Sequence, residues 1–401
     1  MTETPGLQLA DIIRAHQDEF LTRHGSSLTQ TQRKALRDVA ACRTAALGGQ
    51  LWQCVACGHR HAVYHSCRNR HCPRCQSATR ARWLEQQTRH LLPVQYFHVV
   101  FTLPAEVAEV ALVNPVTVYN LLFQAARETL AEVAANPKHL GAAPGVLMVL
   151  HTWGQNLHHH PHVHCVVTGG GLSCNERGVV DASPRWVSCR PGFFLPVRVL
   201  SRKYRGKFLA LLRQAYEAGK VRWDGWTDAA SWAAWSSPLY DKDWVVYAKE
   251  PFGGPEQVLA YLARYTHRVA ISNSRLLELE DGQVTFRYKD YRGEHQQRQM
   301  TLAATEFLRR WVQHVLPRGF VKVRHYGLWS NRQREERLAL CRVLLAASVL
   351  RQLLSVLAKA EALCDSEPVC PSCGGKRLVR LGELPREELP VSCWSASSDT
   401  S

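Results

Sequence analysis

The sequence predicts an α+β fold: an antiparallel sheet flanked by helices, preceded by a small cysteine-rich module and followed by a helical C-terminal region. Three observations predict it. Stretches with strand and helix periodicity alternate at uneven spacing, without the regular Gly-rich turns of a nucleotide-binding doubly wound sheet. One strand-like run, residues 158–167, is dense in histidine. Two Cys-x-x-Cys pairs stand close together near the N-terminal end.

Size and charge bound the rest. The 401 residues leave room for two or three domains and a substantial core. Apolar content of 46% with 21% charged residues describes a folded globular chain. The balance of 50 Lys+Arg against 34 Asp+Glu, net +16, favours a polyanionic partner, because each neutralised phosphate releases counterions. No apolar run reaches the ~20 residues that span a bilayer, and Met1-Thr-Glu-Thr-Pro5 does not open a secretory leader. The fourteen cysteines therefore read as metal ligands in a reducing cytoplasm and not as a disulfide scaffold.

In chain order, residues 7–24 and 29–46 have helical periodicity, the second ended by Gly48-Gly49. Then come Cys54-Val-Ala-Cys57-Gly58 and Cys72-Pro-Arg-Cys75, two knuckles fourteen residues apart. Cys54, Cys57, Cys72 and Cys75 thus have the spacing of a structural, tetrahedral Zn²⁺ site, with Cys67 the nearest substitute ligand and His61, His65 and His71 nearby. Arg68, Arg70 and Arg74 decorate the module and are read as a grip on the DNA backbone, against the plainer reading of a solvated basic face. These features delimit an N-terminal helical and zinc-binding unit over residues 1–93.

A second unit is expected over residues 94–272. Residues 95–103 read as a buried strand stopped by Pro104, residues 106–135 as helix interrupted at Asn114-Pro115, and residues 146–153 as a strand feeding Gln155. Next is the histidine run. On a strand, alternate side chains leave the same face, so His162 and His164 point together while Val163 faces the core. Two imidazoles on a rigid strand are half of a divalent-metal site, and Gly169-Gly170-Gly171 is expected to end the strand. Gln155 is the candidate third ligand, with His160 the other choice. A basic helix over 200–218 and a strand over 244–248 follow. Gly253-Gly254-Pro255-Glu256 then signals a helix start. That helix sets Tyr261 and Tyr265 one turn apart on one face, beside Arg264 and Arg268. A tyrosine pair at this spacing is commonly a packing face. The surrounding cations favour a chemical role, in which a metal-polarised electrophile is attacked by a phenol that is otherwise a poor nucleophile.

Residues 273–363 are expected to hold short strands at 276–280, 284–288 and 297–302, with Asp281-Gly282 as a hairpin turn, then a helix over 305–315. Trp311, Tyr326 and Trp329 alternate with Arg309, Arg310, Lys322 and Arg324, a pattern that suits stacked bases with paired phosphates and suits core tryptophans equally well. A Leu-rich helix over 333–363 is read as a packing or dimer helix. The tail, 364–401, contains Cys370-Pro-Ser-Cys373, a further zinc knuckle whose remaining ligands the sequence does not name.

The His162-Val163-His164 triplet resembles the motif of HUH endonucleases, and Tyr261-xxx-Tyr265 resembles that of their two-tyrosine branch. The words around them, at 151–157, 160–164, 261–271 and 319–329, are similar to those of insertion-sequence transposases of the ninety-one family, over about residues 42–331. The resemblance implies an HUH core with the histidines on central strands, facing a tyrosine helix. It implies a nicking and joining enzyme for single-stranded DNA in a bacterial cytoplasm, at the nucleoid, dependent on Mg²⁺ or Mn²⁺. It implies a 5′-phosphotyrosine intermediate, transposon ends and target as partners, and a rolling-circle-like route. A replication initiator or relaxase would share that chemistry. A non-catalytic zinc-dependent DNA-binding regulator would explain the cysteines and the charge but neither the histidine nor the tyrosine pair, and a metal-storage protein would use the histidine run alone.

Overall fold

The structure, a computed structural model, describes residues 6–75, 87–192, 194–248, 257–258, 269–290, 296–345 and 378–384. Tyr261, Arg264, Tyr265, Arg268, Cys370 and Cys373 lie outside them, as does the Leu-rich helix beyond residue 345.

The centre is a six-stranded antiparallel sheet. Its strands are β3 (Tyr96–Thr102), β4 (Ala142–Trp153), β5 (His159–Ser173), β6 (Trp186–Ser188), β7 (Val246–Ala248) and β11 (Val323–Gly327). They run in the order β11-β4-β5-β3-β7, with β6 paired to the far end of β5. One face is apolar at every other residue: Phe97, Val99 and Phe101 of β3, Met148 and Leu150 of β4, and Val163, Cys165 and Val167 of β5. Helices α3 (Ala105–Val113), α4 (Pro115–Ala135) and α5 (Val197–Glu217) cover it with residues such as Val110, Leu122, Phe123, Tyr204 and Phe208. The break at Asn114-Pro115 falls as expected, because Pro115 lacks the N–H that an uninterrupted helix needs and suits a first helical position instead. A further helix, α6 (Ala229–Asp241), adds Trp232 and Leu239 to this core.

The glycine run does not end β5, which continues to Ser173. At Gly171 a Cβ would lie 2.3 Å from the Ala143 carbonyl oxygen, so the glycines let β4 and β6 approach an extended strand that bulkier residues would push apart.

The sheet's second face is split. Tyr96, Leu147, Val149 and Val166 join Leu91, Leu92, Trp329, and Leu338 of helix α8 (Arg334–Leu344) in an apolar cluster. Beside it lies a polar patch made of His98, His151, His162 and His164. Val258, one of two described helical residues just ahead of the tyrosine motif, is fully buried in that same apolar cluster.

A second core joins distant parts of the sequence. Helices α1 (Leu9–His24) and α2 (Gln30–Ala40) pack through Leu9, Ile12, Phe20 and Leu36 against Phe286, Phe307, Leu308 and Trp311. Phe286 belongs to strand β9 (Gln283–Lys289), which pairs with β8 (Leu276–Glu280) and β10 (Gln297–Ala303), and the other three belong to helix α7 (Ala304–Val312). The first and third expected units therefore share one apolar interior. The hairpin turn is where the sequence put it: Asp281 and Gly282 both take positive φ, 47° and 72°, as a two-residue primed turn requires.

A third, small sheet has the order β12-β1-β2, from β1 (Gly49–Cys54), β2 (Arg60–Tyr64) and β12 (Leu378–Leu384). Its central strand is thus paired on one side by its sequence neighbour and on the other by the far end of the chain.

Candidate nuclease metal site and zinc centre

Strand register builds the histidine site. His151 on β4 is the direct partner of His162 on β5, and Val149 is the partner of His164, so both pairs project from the same face. Ring nitrogens of His151, His162 and His164 all lie within 4.8 Å of one another. His162 Nδ1–H donates to the His160 carbonyl at 2.7 Å, because a carbonyl can only accept. Its Nε2 therefore presents a lone pair, 3.1 Å from His164 Nε2. His164 Nδ1 lies 2.9 Å from His98 Nε2 on β3, and a proton on that Nδ1 turns the second lone pair inward as well. Two inward lone pairs at 3.1 Å repel unless a cation lies between them. Ligands at right angles on bonds of about 2.1 Å would stand ~3.0 Å apart, so the spacing fits a divalent ion. His98, His151 and His164 are buried, and His162 is half-buried at the edge of the patch.

Gln155 does not sit on the strand. It follows the end of β4, in the tight turn that reaches β5, where Leu157 takes a positive φ of 62°. Its backbone carbonyl is held by the Arg275 guanidinium. The neighbouring Asn156 carbonyl accepts from Arg310 at 3.3 Å, and the Leu157 carbonyl accepts from His314 Nε2–H at 3.1 Å. The turn is thus anchored in the second core, with Leu157 buried there. The third imidazole comes from His151, two residues before the end of β4. His160 is exposed and contributes its carbonyl.

Behind the patch, buried neutral histidines support the strands. His314 is 2% exposed, and burial lowers its pKa to about 3. Its Nδ1 accepts from the Thr152 hydroxyl at 3.3 Å while Nε2–H donates to Leu157. His159 Nε2 lies 2.8 Å from the Tyr119 hydroxyl, and burial holds its pKa at about 4.

The cysteine centre differs from the set that spacing suggests. Cys42, Cys67, Cys72 and Cys75 converge, with ligand atoms all within 4.8 Å. Cys42–Cys75, Cys67–Cys75 and Cys42–Cys72 Sγ distances are each 3.6 Å. Disulfides need ~2.05 Å. A tetrahedron with Zn–S bonds of ~2.3 Å has S···S edges of about 3.8 Å, so the four sulfurs fit one zinc ion. Hydrogen bonding from Cys67 and then Cys72 holds the Cys42 thiol far below its ordinary range. The same sharing pushes Cys67 and Cys72 up, so four thiolates here call for a cation. Cys72 and Cys75 are therefore in the cluster, Cys67 joins them, and Cys54 and Cys57 are not members. Cys42 was missed because it has no x-x-Cys companion; it follows the last turn of α2, which brings it back onto the second knuckle.

Of the expected DNA-facing arginines, Arg68 is exposed and Arg74 half-buried. Arg70 is turned inward, donating to the carbonyls of Phe320 at 2.6 Å, Pro317 at 2.9 Å and Leu316 at 3.4 Å. It fastens the cysteine module to the loop that precedes β11. The aromatic–cation series is also internal. Trp311 and Trp329 are buried, Trp329 stacks on Tyr96 at 5.9 Å, and Arg324 lies 4.1 Å over the Phe123 ring.

Among the described residues, no helix is long and apolar enough to cross a membrane. A family model described as "Transposase zinc-binding domain" matches residues 12–103, and one described as "Putative transposase" matches residues 145–337. The chain is 47% identical to "Putative transposase y4qJ" of Sinorhizobium fredii (strain NBRC 101917 / NGR234), over 98% of this chain and 99% of that one. It is 28% identical to "Transposase for insertion sequence element IS801" of Pseudomonas savastanoi pv. phaseolicola, over 73% of this chain and 68% of that one. No solved structure matches the chain. With a transposase zinc-binding segment ahead of a histidine-lined sheet, and a relative similar along nearly its whole length, the chain belongs to the insertion-sequence ninety-one (IS91) family of transposases.

Proposed function

We propose that this transposase nicks and rejoins single-stranded DNA at transposon ends and target through a 5′-phosphotyrosine on Tyr261 or Tyr265, in a rolling-circle-like reaction. His151, His162 and His164 would hold the Mg²⁺ or Mn²⁺ ion. The observation that carries the reading is the position of Val258. Three residues ahead of Tyr261, it shares an apolar cluster with Val149 and Val166, which lie two residues from His151 and His164 on the same strands.

A divalent ion held there would supply polarisation of the scissile phosphate and offset its developing charge. The chain's own residues do the rest. His98 and the His160 carbonyl orient two of the imidazoles, and the anchored 154–158 turn holds β4 against β5. A tyrosine hydroxyl attacks phosphorus, its proton leaving to solvent or to a nearby base. The phosphorus–O3′ bond breaks, giving a 5′-phosphotyrosine and a free 3′-hydroxyl. That hydroxyl can attack a second phosphotyrosine, restoring a phosphodiester and a free tyrosine, and two tyrosines allow two ends to be held at once. Arg68, Arg74, Arg264 and Arg268 would contact the DNA backbone. Imidazoles favour Mn²⁺ over the oxygen-seeking Mg²⁺, so Mn²⁺ should support the reaction at lower concentration. The place of action would be the cytoplasm, at the nucleoid, with a homo-oligomer a natural form for pairing ends.

The test is a denaturing gel of purified protein with single-stranded terminal oligonucleotides. A covalent adduct should form with Mg²⁺ or Mn²⁺, vanish with chelator, and be absent from Y261F/Y265F. Adducts that persist in that double variant would refute the assignment.

A further inference from the structure

The sheet face that carries the histidines continues past them toward the β7 edge, and strand register sets its rows. His162 on β5 is opposite Thr102 on β3, whose N–H donates to the Val245 carbonyl at 3.1 Å. His164 is opposite Val100, and Val100 is opposite Tyr247 on β7. Directly opposed residues leave a sheet on the same face, so Thr102, Val100 and Tyr247 share the face of His162 and His164. The residues that alternate with them, Phe101 and Val246, enter the apolar core on the other side.

Two side chains on this ledge have no use in the fold. Thr102 is 8% exposed, yet among the described residues nothing exchanges a hydrogen bond with its hydroxyl. A buried hydroxyl without a partner is costly, and this one stands beside His162, with Cβ atoms of opposed residues ~4.5–5.5 Å apart. Tyr247 is 51% exposed, and Val245, just ahead of β7, is 64% exposed. Strand side chains stand roughly perpendicular to their sheet, so the Tyr247 ring offers a face at the open edge. At ~4.8 Å per strand it lies two strands, about 10 Å, from His164. A phosphate drawn to the histidine pair thus has a hydrogen-bond donor at its side and an unpartnered aromatic ring beyond it.

We infer that Thr102 and Tyr247 form a nucleotide subsite for single-stranded DNA: Thr102 donates to a phosphate oxygen next to the histidines, and Tyr247 stacks on the adjoining base. The inference rests on the reading of the histidines as the ion site of a nuclease. Every base has a stacking face, so Tyr247 supplies grip and position with little sequence preference. The excess of 50 Lys+Arg over 34 Asp+Glu draws the same class of ligand.

Equilibrium binding of fluorescent single-stranded terminal oligonucleotides to the full chain tests it, with a set in which each nucleotide in turn is made abasic. One abasic position beside the nick should weaken binding by about 5- to 150-fold, the range of one stacked base. Tyr247→Ala should lose the same factor on the intact strand and nothing further on that abasic strand, while Tyr247→Phe and Tyr247→Trp keep the parent's affinity. Thr102→Val should weaken binding, Thr102→Ser should not, and a neutral methylphosphonate at the contacted phosphate should erase the difference between Thr102→Val and the parent. Parent-like affinity in Tyr247→Ala, or an abasic penalty that it retains in full, would overturn the stacking role. An equal loss in Tyr247→Phe would overturn it in favour of a hydroxyl contact. Binding needs no cleavage, so the two readings fail separately. A parent that shows the abasic dependence but forms no adduct with Mn²⁺ would sink the nuclease reading and leave the subsite standing. Adduct formation with an unimpaired Tyr247→Ala would do the reverse.

Discussion

Replacing His98 with phenylalanine isolates the outer support of the metal site. His98 is 4% exposed, its Nε2 lies 2.9 Å from His164 Nδ1, and the two rings stack with centroids 5.1 Å apart and planes 11° from parallel. Phenylalanine keeps the stacked ring and removes only the Nε2 partner, leaving His164 Nδ1 without that hydrogen bond and the imidazole free to rotate or switch tautomer. Loss of such an outer hydrogen bond weakens metal binding by about 10–100-fold. That corresponds to ~1.4–2.7 kcal/mol. Titration calorimetry with Mn²⁺ should show this rise in Kd, with circular dichroism unchanged. His151→Ala should cost at least as much, and Gln155→Ala should leave Kd alone. A Kd for His98→Phe within about threefold of the parent would refute the orienting role. A loss in Gln155→Ala without one in His151→Ala would return the third ligand to the turn.

Two further outcomes follow from buried groups. His314 titrates at about 3 in the fold and near 6.5 in the unfolded chain. The unfolded state therefore takes a proton that the folded state refuses, so its contribution is present above pH ~6.5 and is lost progressively as pH falls toward 3. By pH 5 this one residue should remove ~2 kcal/mol, read as a lower urea midpoint than at pH 7.5, with a shallower pH slope in His314→Gln. A stability unchanged between those pH values would contradict its burial as a neutral ring. Arg70→Met leaves three carbonyls without their donor and should cost ~1–3 kcal/mol of stability. Its single-stranded DNA binding should keep the parent's salt dependence, whereas a slope reduced by about 1 at unchanged stability would make Arg70 a phosphate contact after all.

Much of the fold was legible because the signals were local. The β5 alternation, the helix break at Asn114-Pro115 and the Asp281-Gly282 turn each depend on a few neighbouring residues. His151 was also within reach of the sequence. In a hairpin, residues equally far from the turn face each other, and His151 lies across from His162, whereas Gln155 falls inside the turn itself. What the sequence hid was long-range. Cys42 joins the second knuckle only because α2 folds back, and β1 acquires a partner more than three hundred residues away. Trp311 and Trp329 are the case the sequence left open, since tryptophans placed among arginines mark a nucleic-acid surface or an interior equally well until packing decides, here for the interior.

The pairing of β12 with β1 also bears on synthesis. A ribosome releases residues 49–64 early, yet the outer neighbour of β1 arrives only with residues 378–384. Until then β1 shows an open hydrogen-bonding edge, a known route to wrong association. A prematurely terminated product would keep that edge permanently, which makes truncated copies targets for proteolysis or aggregation. Full-length molecules would be those in which a late-made strand has sealed an early-made sheet.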